Sequence, residues 1–282
     1  MSFNKNLLQS FIQQGLLEDI GEGDHTSVST IPKNTQGAAR LLIKANGVLA
    51  GVAIAQEIFN TVDPNLIVEV LLTDGMPVQN GDIVLFVRGS VHAILLAERL
   101  VLNTMQRMSG IATITAQVVD RLKETHTKVL DTRKTTPGIR YLEKMAVRIG
   151  GGVNHRFGLY DTILIKDNHV DYAGGITKAI KAAQVYINTK KIQVPIIIEV
   201  RSLAELQDVL AVGGVDRILL DNFNYDQLKK AIALIDGKFA TEASGNITID
   251  NVLQYALCGV DYVSMGALTH SVKSLDMSLK AI

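Results

Sequence analysis

The sequence predicts an α/β fold: a strand-and-turn region followed by a closed or nearly closed parallel barrel. Three observations carry this. From residue 128 onward, a short apolar strand, a polar tip and a helical stretch repeat six times. The strands there are continuously apolar rather than alternating, as in a parallel sheet covered by helices. No GxGxxG follows any of them, which argues against a dinucleotide-binding sheet.

Taken in order, residues 4–17 set Leu7, Leu8, Phe11, Ile12 and Leu16 at helical spacing. The glycines and acids of 18–26 predict a loop. Strands are expected at 40–43 and 48–52, joined as a hairpin across Ala45-Asn46-Gly47, then at 67–72 and 83–87. A long helix follows over 91–123, with Gly110 bending or dividing it. The barrel strands are expected at Val129-Leu130, 162–165, 196–198, 217–220, 239–241 and 262–263. Thr136-Pro137 has the chemistry of a helix start, Ser202-Leu203-Ala204-Glu205 is a capping box, and Asn224 caps the helix after it. Gly213 and Gly237 stand where helices should stop.

Composition narrows the function. Among 282 residues, Lys+Arg and Asp+Glu are both 28. That balance gives no support for a nucleic-acid or membrane surface, so any anion site must be local. No apolar run approaches the roughly 18 residues of a membrane span. A single cysteine, Cys258, lies in an apolar run; it excludes a disulfide framework and suits a reducing compartment. With no signal segment visible, a cytoplasmic protein is expected.

The strand tips carry the chemistry. They are Arg133-Lys134, Lys166-Asp167-Asn168-His169, Glu199, Asp221-Asn222, Glu242 with Ser244-Gly245-Asn246, and Ser264 with Gly266. In a parallel barrel all of these open on one face. Arg133, Lys134 and Lys166 suit carboxylates or phosphates, and the glycine-rich loop before His155-Arg156 adds donors. Glu199 and Asp221 suit a hydrated Mg²⁺ or ribose hydroxyls, or else salt bridges to nearby lysines. Small residues ahead of a helix leave backbone N–H groups for a phosphate.

The ordered set Asp131-Thr132-Arg133-Lys134-Thr135-Thr136-Pro137-Gly138, Asn154-His155-Arg156, Leu164-Ile165-Lys166-Asp167-Asn168-His169, Ile198-Glu199-Val200, Leu220-Asp221-Asn222, Glu242-Ala243-Ser244-Gly245-Asn246 and Gly266-Ala267-Leu268-Thr269-His270 closely resembles the quinolinate phosphoribosyltransferases. Glu98-Arg99-Leu100-Val101-Leu102-Asn103 matches them too. The resemblance implies an N-terminal α/β sandwich over 1–112. An incomplete, open α/β barrel of the type II phosphoribosyltransferase kind would follow over 113–269, with 270–282 able to pack on the first domain. It implies a Mg²⁺-dependent transfer of phosphoribose from phosphoribosyl pyrophosphate to quinolinate with decarboxylation. It also implies a homodimer in which Arg99 serves the partner's site. By the same match, Thr132, Arg133, His155, Arg156 and Lys166 would hold quinolinate. Lys134, Ser244, Gly245, Asn246, Ser264, Met265, Gly266 and His270 would hold the phosphoribosyl group and its phosphates. Lys134, Lys166, Glu199 and Asp221 would be catalytic, the two carboxylates meeting the metal. The alternatives are a sister enzyme acting on nicotinate, a protein of molybdenum transport, or a nucleotide sensor on a retained barrel.

Overall fold

The computed structural model describes residues 5–282. The described chain forms two compact units. One takes in the residues up to Ala116, Thr135–Gly151 and Leu268–Ile282; the other takes in Gln117–Lys134 and Gly152–Ala267. Among the described residues no helix is long and apolar enough to cross a membrane.

In chain order the elements begin with α1 (Lys5–Ile20), α2 (His25–Thr30), β1 (Gln36–Ile43), β2 (Gly47–Val48), α3 (Val52–Val62), β3 (Ile67–Val70), β4 (Pro77–Val78), β5 (Ile83–Ser90) and α4 (Val91–Leu122). They continue with β6 (Lys128–Leu130), α5 (Arg140–Ile149), β7 (Ile163–Ile165), α6 (Asp167–Ala173), α7 (Ile176–Lys190), β8 (Ile196–Val200), α8 (Leu203–Val212) and β9 (Arg217–Asp221). The last are α9 (Tyr225–Ile235), β10 (Ala240–Ser244), α10 (Val252–Ala256), β11 (Tyr262–Ser264), α11 (Ala267–His270) and β12 (Met277–Ala281).

The first unit is built on an antiparallel sheet of order β12-β1-β5-β3. The C-terminal strand therefore pairs with β1, in the register Leu41 to Leu279. Several expectations are corrected here. The predicted loop 18–26 is mostly helix, because α1 runs to Ile20 and Asp24 caps α2 by accepting from the Ser27 N–H at 2.9 Å. The predicted hairpin does not form: β1 pairs with β5 and β12, whereas β2 pairs with β4 in a separate ribbon. The residues after β2 turn at Gly51 into α3, whose Ile54, Ala55, Ile58 and Phe59 are fully buried. An apolar run this short suits strand or helix equally, and burial decided for helix. The helix after Thr136-Pro137 starts later, at Arg140.

Gly110 neither ends nor divides α4, which is continuous. Its role is close approach: a Cβ there would collide with the Lys273 carbonyl oxygen and press on the Ser274 Cα. The strap leading to β12 is held against α4 at that place by the Leu275 N–H donating to Gln106 O at 3.0 Å and Gln106 Nε2 donating to Met277 O at 2.9 Å.

The second unit is a six-stranded sheet of order β6-β11-β10-β9-β8-β7, every neighbouring pair parallel. β6 and β7 stand at its two ends, so the barrel is open, as expected. Capping follows the sequence: Ser202 accepts from the Glu205 N–H at 3.2 Å, and Asn224 and Gln227 cap each other across the start of α9. Register then sorts the side chains. Glu199 and Glu242 both stand level with Leu219, and Asp221 with Ser244. Tyr262 stands beside Glu242, and Leu130 beside Ser264. Because side chains alternate along a strand, one face carries Glu199, Arg217, Asp221, Glu242, Ser244, Tyr262 and Ser264. The other carries Ile165, Ile198, Val200, Ile218, Leu220, Ala243 and Val263. One face is thus an apolar layer, and the other mixes these polar groups with Ile197, Leu219 and Leu130.

Gly110→Ala should lower stability by about 1–3 kcal/mol through overpacking alone, since helix propensity favours alanine. Urea unfolding followed by circular dichroism checks this; an unchanged midpoint would mean that the strap gives way without cost.

Candidate functional site

The carboxyl ends of all six parallel strands open at one edge, where the predicted tips meet partners. At the first, Asp131 follows β6 and has no solvent exposure. It accepts from the His155 N–H at 2.8 Å and from the Asn154 side-chain amide. A buried carboxylate must be satisfied, and here it draws the loop 153–156 onto the end of β6, beside the Leu130–Val153 bridge. Thr132 Oγ1 accepts from the Lys134 N–H at 3.0 Å, which turns the chain and leaves Arg133 and Lys134 exposed. Arg156 is half-buried and donates to Thr162 O at 3.2 Å. Desolvation first, and then repulsion from Arg133, lower its affinity for its proton, with Asp161 opposing. Two guanidiniums therefore lie close enough to repel at one strand end.

At the next tip Lys166 Nζ meets Glu199 Oε2 at 2.6 Å, the lysine side chain 46% exposed and the carboxylate 7%. This is the salt bridge that the sequence left open as an alternative for Glu199. Asp221, at the end of β9, accepts from Asn222 Nδ2 at 2.6 Å. Asn222 takes a positive φ of 55°, and its N–H donates to Ser244 O at 2.9 Å. Gly245 packs directly on it with φ 99°, where a Cβ would overlap the Asn222 amide oxygen, so only glycine fits. The Asp221-Asn222 and Ser244-Gly245-Asn246 tips are thus one interlocked piece. At β11, Ser264 is buried with its Oγ 3.5 Å from Ala243 O. Met265 is also buried, and its N–H is taken by Leu130 O at 2.9 Å. That amide joins the end of β11 to β6. The helix after Asn246 begins at Val252 rather than near Thr248 and spans only five residues. Arg99 and His270 belong to the other unit. Arg99 is exposed on α4, and His270 Nδ1 lies 2.6 Å from Ser271 Oγ.

Two side chains lie at a depth that the sequence did not disclose, Glu242 and Arg217. Glu242 was taken as a tip, but it lies inside β10 with no exposure. Its Oε2 is 3.0 Å from Arg217 Nη1 and 3.4 Å from His155 Nε2. Arg217 also stacks on Tyr262, 4.1 Å from the ring centre. The His155 Nδ1 accepts from the Arg156 N–H at 2.7 Å. Both ring nitrogens thus have partners within the protein. The available signal was a carboxylate and an arginine set within otherwise apolar strands.

Residues 24–109 match the quinolinate phosphoribosyl transferase N-terminal domain and residues 111–280 its C-terminal domain. The chain belongs to the quinolinate phosphoribosyltransferase family. It is 45% identical over 288 residues to quinolinate phosphoribosyltransferase [decarboxylating] 2a, mitochondrial, of Nicotiana tabacum, covering 97% of this chain and 82% of that one. It is 42% identical over 272 residues to the probable nicotinate-nucleotide pyrophosphorylase [carboxylating] of Bacillus subtilis, covering 96% and 92%. Among solved structures, NadC from Streptococcus pyogenes matches with a TM-score of 0.94 and 39% identity, covering 100% of this chain and 99% of that one. The nicotinate-nucleotide pyrophosphorylase from Francisella tularensis matches at 0.93 and 36%, covering 100% and 98%.

Electrostatics inside this family member's barrel give a stability signature. Burial pushes the Glu242 carboxyl up, but the hydrogen bonds from His155 and Arg217 and the charge of Arg217 outweigh it and hold the pKa below the ordinary 4.5. A depressed carboxylate contributes stability above its unfolded pKa and loses it as pH falls through the folded value. The melting temperature of the wild type should therefore exceed that of Glu242→Gln most at neutral pH. The gap should narrow as pH falls below about 4.5. A gap that stays constant from pH 7 to the acid limit would show that the Glu242 charge is not what stabilises.

Proposed function

We propose that this chain catalyses the reaction for which its relatives are named. Phosphoribose passes from phosphoribosyl pyrophosphate to quinolinate, and decarboxylation gives nicotinate mononucleotide, pyrophosphate and carbon dioxide, a step of NAD biosynthesis. The observation that carries this reading is the gathering of Arg133 and Arg156, whose charges repel, where Asp131 draws the loop 153–156 onto the end of β6. A cluster of like charges is relieved by a dianion, and quinolinate carries two carboxylates on adjacent ring carbons.

In this reading Arg133, Arg156 and Lys166 grip the carboxylates at their rim and leave the ring nitrogen unprotonated for attack on the ribose carbon. Lys134 and Asp221 face the donor, and the interlocked 244–246 loop with Ser264 and Gly266 offers backbone N–H groups and hydroxyls to its phosphate. Once alkylated, the cationic ring nitrogen stabilises the electron pair that departing carbon dioxide leaves on the adjacent ring carbon, and that carbon then takes up a proton from solvent. The protein contributes positioning and charge, and no covalent nucleophile. Cys258 is buried, and burial first of all raises its thiol pKa, so it is unsuited to attack.

Glu199 and Asp221 are the carboxylates that fit Mg²⁺. No group of three or more metal-binding side chains lies together among the described residues. Two acids suit an ion that takes most of its ligands from donor oxygens and water. Bound there, it would neutralise the charge of the departing pyrophosphate. A homodimer is also proposed, supported by an exposed Arg99 that has no ion-pair partner among the described residues. Cytoplasmic residence is proposed on the free, buried Cys258; the tobacco relative is named mitochondrial and the Arabidopsis thaliana one chloroplastic.

Purified protein supplied with quinolinate, phosphoribosyl pyrophosphate and Mg²⁺ should release labelled carbon dioxide and form nicotinate mononucleotide, and a chelator should stop both. The kcat/KM for quinolinate should exceed that for nicotinate by about 100-fold or more, because nicotinate leaves part of the cation cluster unpaired. Comparable turnover of both acids would favour the nicotinate-specific alternative.

Arg99 is tested by complementation. Arg99→Ala and Lys134→Ala should each be inactive. Mixed and allowed to exchange, they should regain about a quarter of wild-type activity, since half the dimers are mixed and each holds one intact site. Demonstrated exchange without recovery would confine Arg99 to its own subunit.

A further inference from the structure

We infer that Glu242 is a positioning residue for the anion site, acting through the His155 ring on the backbone of Arg156. The inference rests on the substrate reading above and adds a residue to it. It starts from a hydrogen bond. The Arg156 N–H donates to His155 Nδ1 at 2.7 Å, and a ring nitrogen that accepts carries no proton. The proton of the imidazole is therefore on Nε2, which faces Glu242 Oε2 at 3.4 Å. Arg217 reaches the same oxygen at 3.0 Å. A proton on Nδ1 would instead set an N–H against the Arg156 amide.

The Asn154-His155-Arg156 segment is then held at two places. Asp131, fully buried, takes the Asn154 side chain and the His155 amide. Glu242, also fully buried, takes the ring. Arg156 is the residue of the segment whose guanidinium stands against Arg133, and its amide is fixed by the ring that Glu242 orients. A small shift of that amide is multiplied along the arginine side chain, so the grip on a dianion depends on a carboxylate that need not touch it. The rival reading, in which His155 donates to the ligand directly, needs a proton on Nδ1 and gives up the bond from the Arg156 amide.

The test uses the full chain and separate kinetics in each substrate. Glu242→Gln leaves Arg217 buried without its charge partner, so the double variant Glu242→Gln/Arg217→Met accompanies it and removes both charges while keeping packing on Tyr262. Circular dichroism and melting establish folding. In folded variants the quinolinate KM should rise about tenfold while the donor KM stays within about twofold. A wild-type quinolinate KM in either folded variant overturns the inference, and so does an equal rise in both KM values, which would mark general loosening. In ¹⁵N spectra of the imidazoles, the wild-type His155 should be the neutral Nε2–H tautomer; a protonated or Nδ1–H ring overturns the inference even if neither variant folds. Wild-type protein that does not turn over quinolinate would overturn the substrate reading instead, and the tautomer would still decide the geometry.

Discussion

A carboxylate that the fold withdraws from water must be paired, and the architecture of this chain follows from that constraint. A parallel sheet with helices on it would ordinarily be apolar on both faces. Here the register gathers Glu199, Glu242, Arg217 and Asp221 on one face. An uncompensated buried charge costs several kcal/mol, so each acid recruits a partner. Lys166 comes to Glu199, Arg217 and His155 come to Glu242, and two loop donors come to Asp131. Each partner belongs to another strand or loop. The requirement to pair acids therefore arranges the strand ends.

The same rule operates in the first unit. Glu143 on α5 has no exposure and accepts from Arg107 twice, at 2.7 and 3.0 Å, and from the Thr136 N–H at 3.1 Å. Arg107 also donates to Thr269 O. One ion pair thereby joins α4, α5, the turn Thr135–Gly138 and the segment before His270. Thr136 does not cap α5: its Oγ1 accepts from Arg107 Nη2 at 3.3 Å, its amide is tied to Glu143, and the turn runs on through Gly138 at φ 83° before α5 begins. Local capping chemistry lost to a buried acid seven residues away.

What the sequence disclosed and what it concealed divide along this line. Period and punctuation were enough for the six parallel strands, the Ser202 and Asn224 caps and the long α4, because these depend on local pattern. The tips were legible because polar residues interrupted apolar runs. The errors came where tertiary contact decided. Gly110 reads as a helix breaker, but the Lys273 backbone requires it. Residues 52–62 could be strand or helix until the core beneath them is known. Glu242 read as a strand tip and lies buried within β10, since a sequence gives order along a strand and not depth. Arg217 drew no notice because an arginine beside a strand is normally a solvated residue.

Depth also resolves the charge balance. The whole chain is neutral, with 28 basic and 28 acidic residues, so its net charge cannot draw in an anion. At the strand ends, however, the two signs are sorted. Arg133, Lys134 and Lys166 are exposed, and Arg156 is half-buried. Asp131, Glu199 and Glu242 lie buried beneath them. Side-chain length accounts for this: lysine and arginine reach water from a strand end on their methylene stems, whereas a carboxylate on the strand itself cannot. An arriving anion meets the cations first and the acids only at close range. A balanced composition can thus present a positive mouth, and the buried acids that neutralise it on paper are the groups that hold its cations in place.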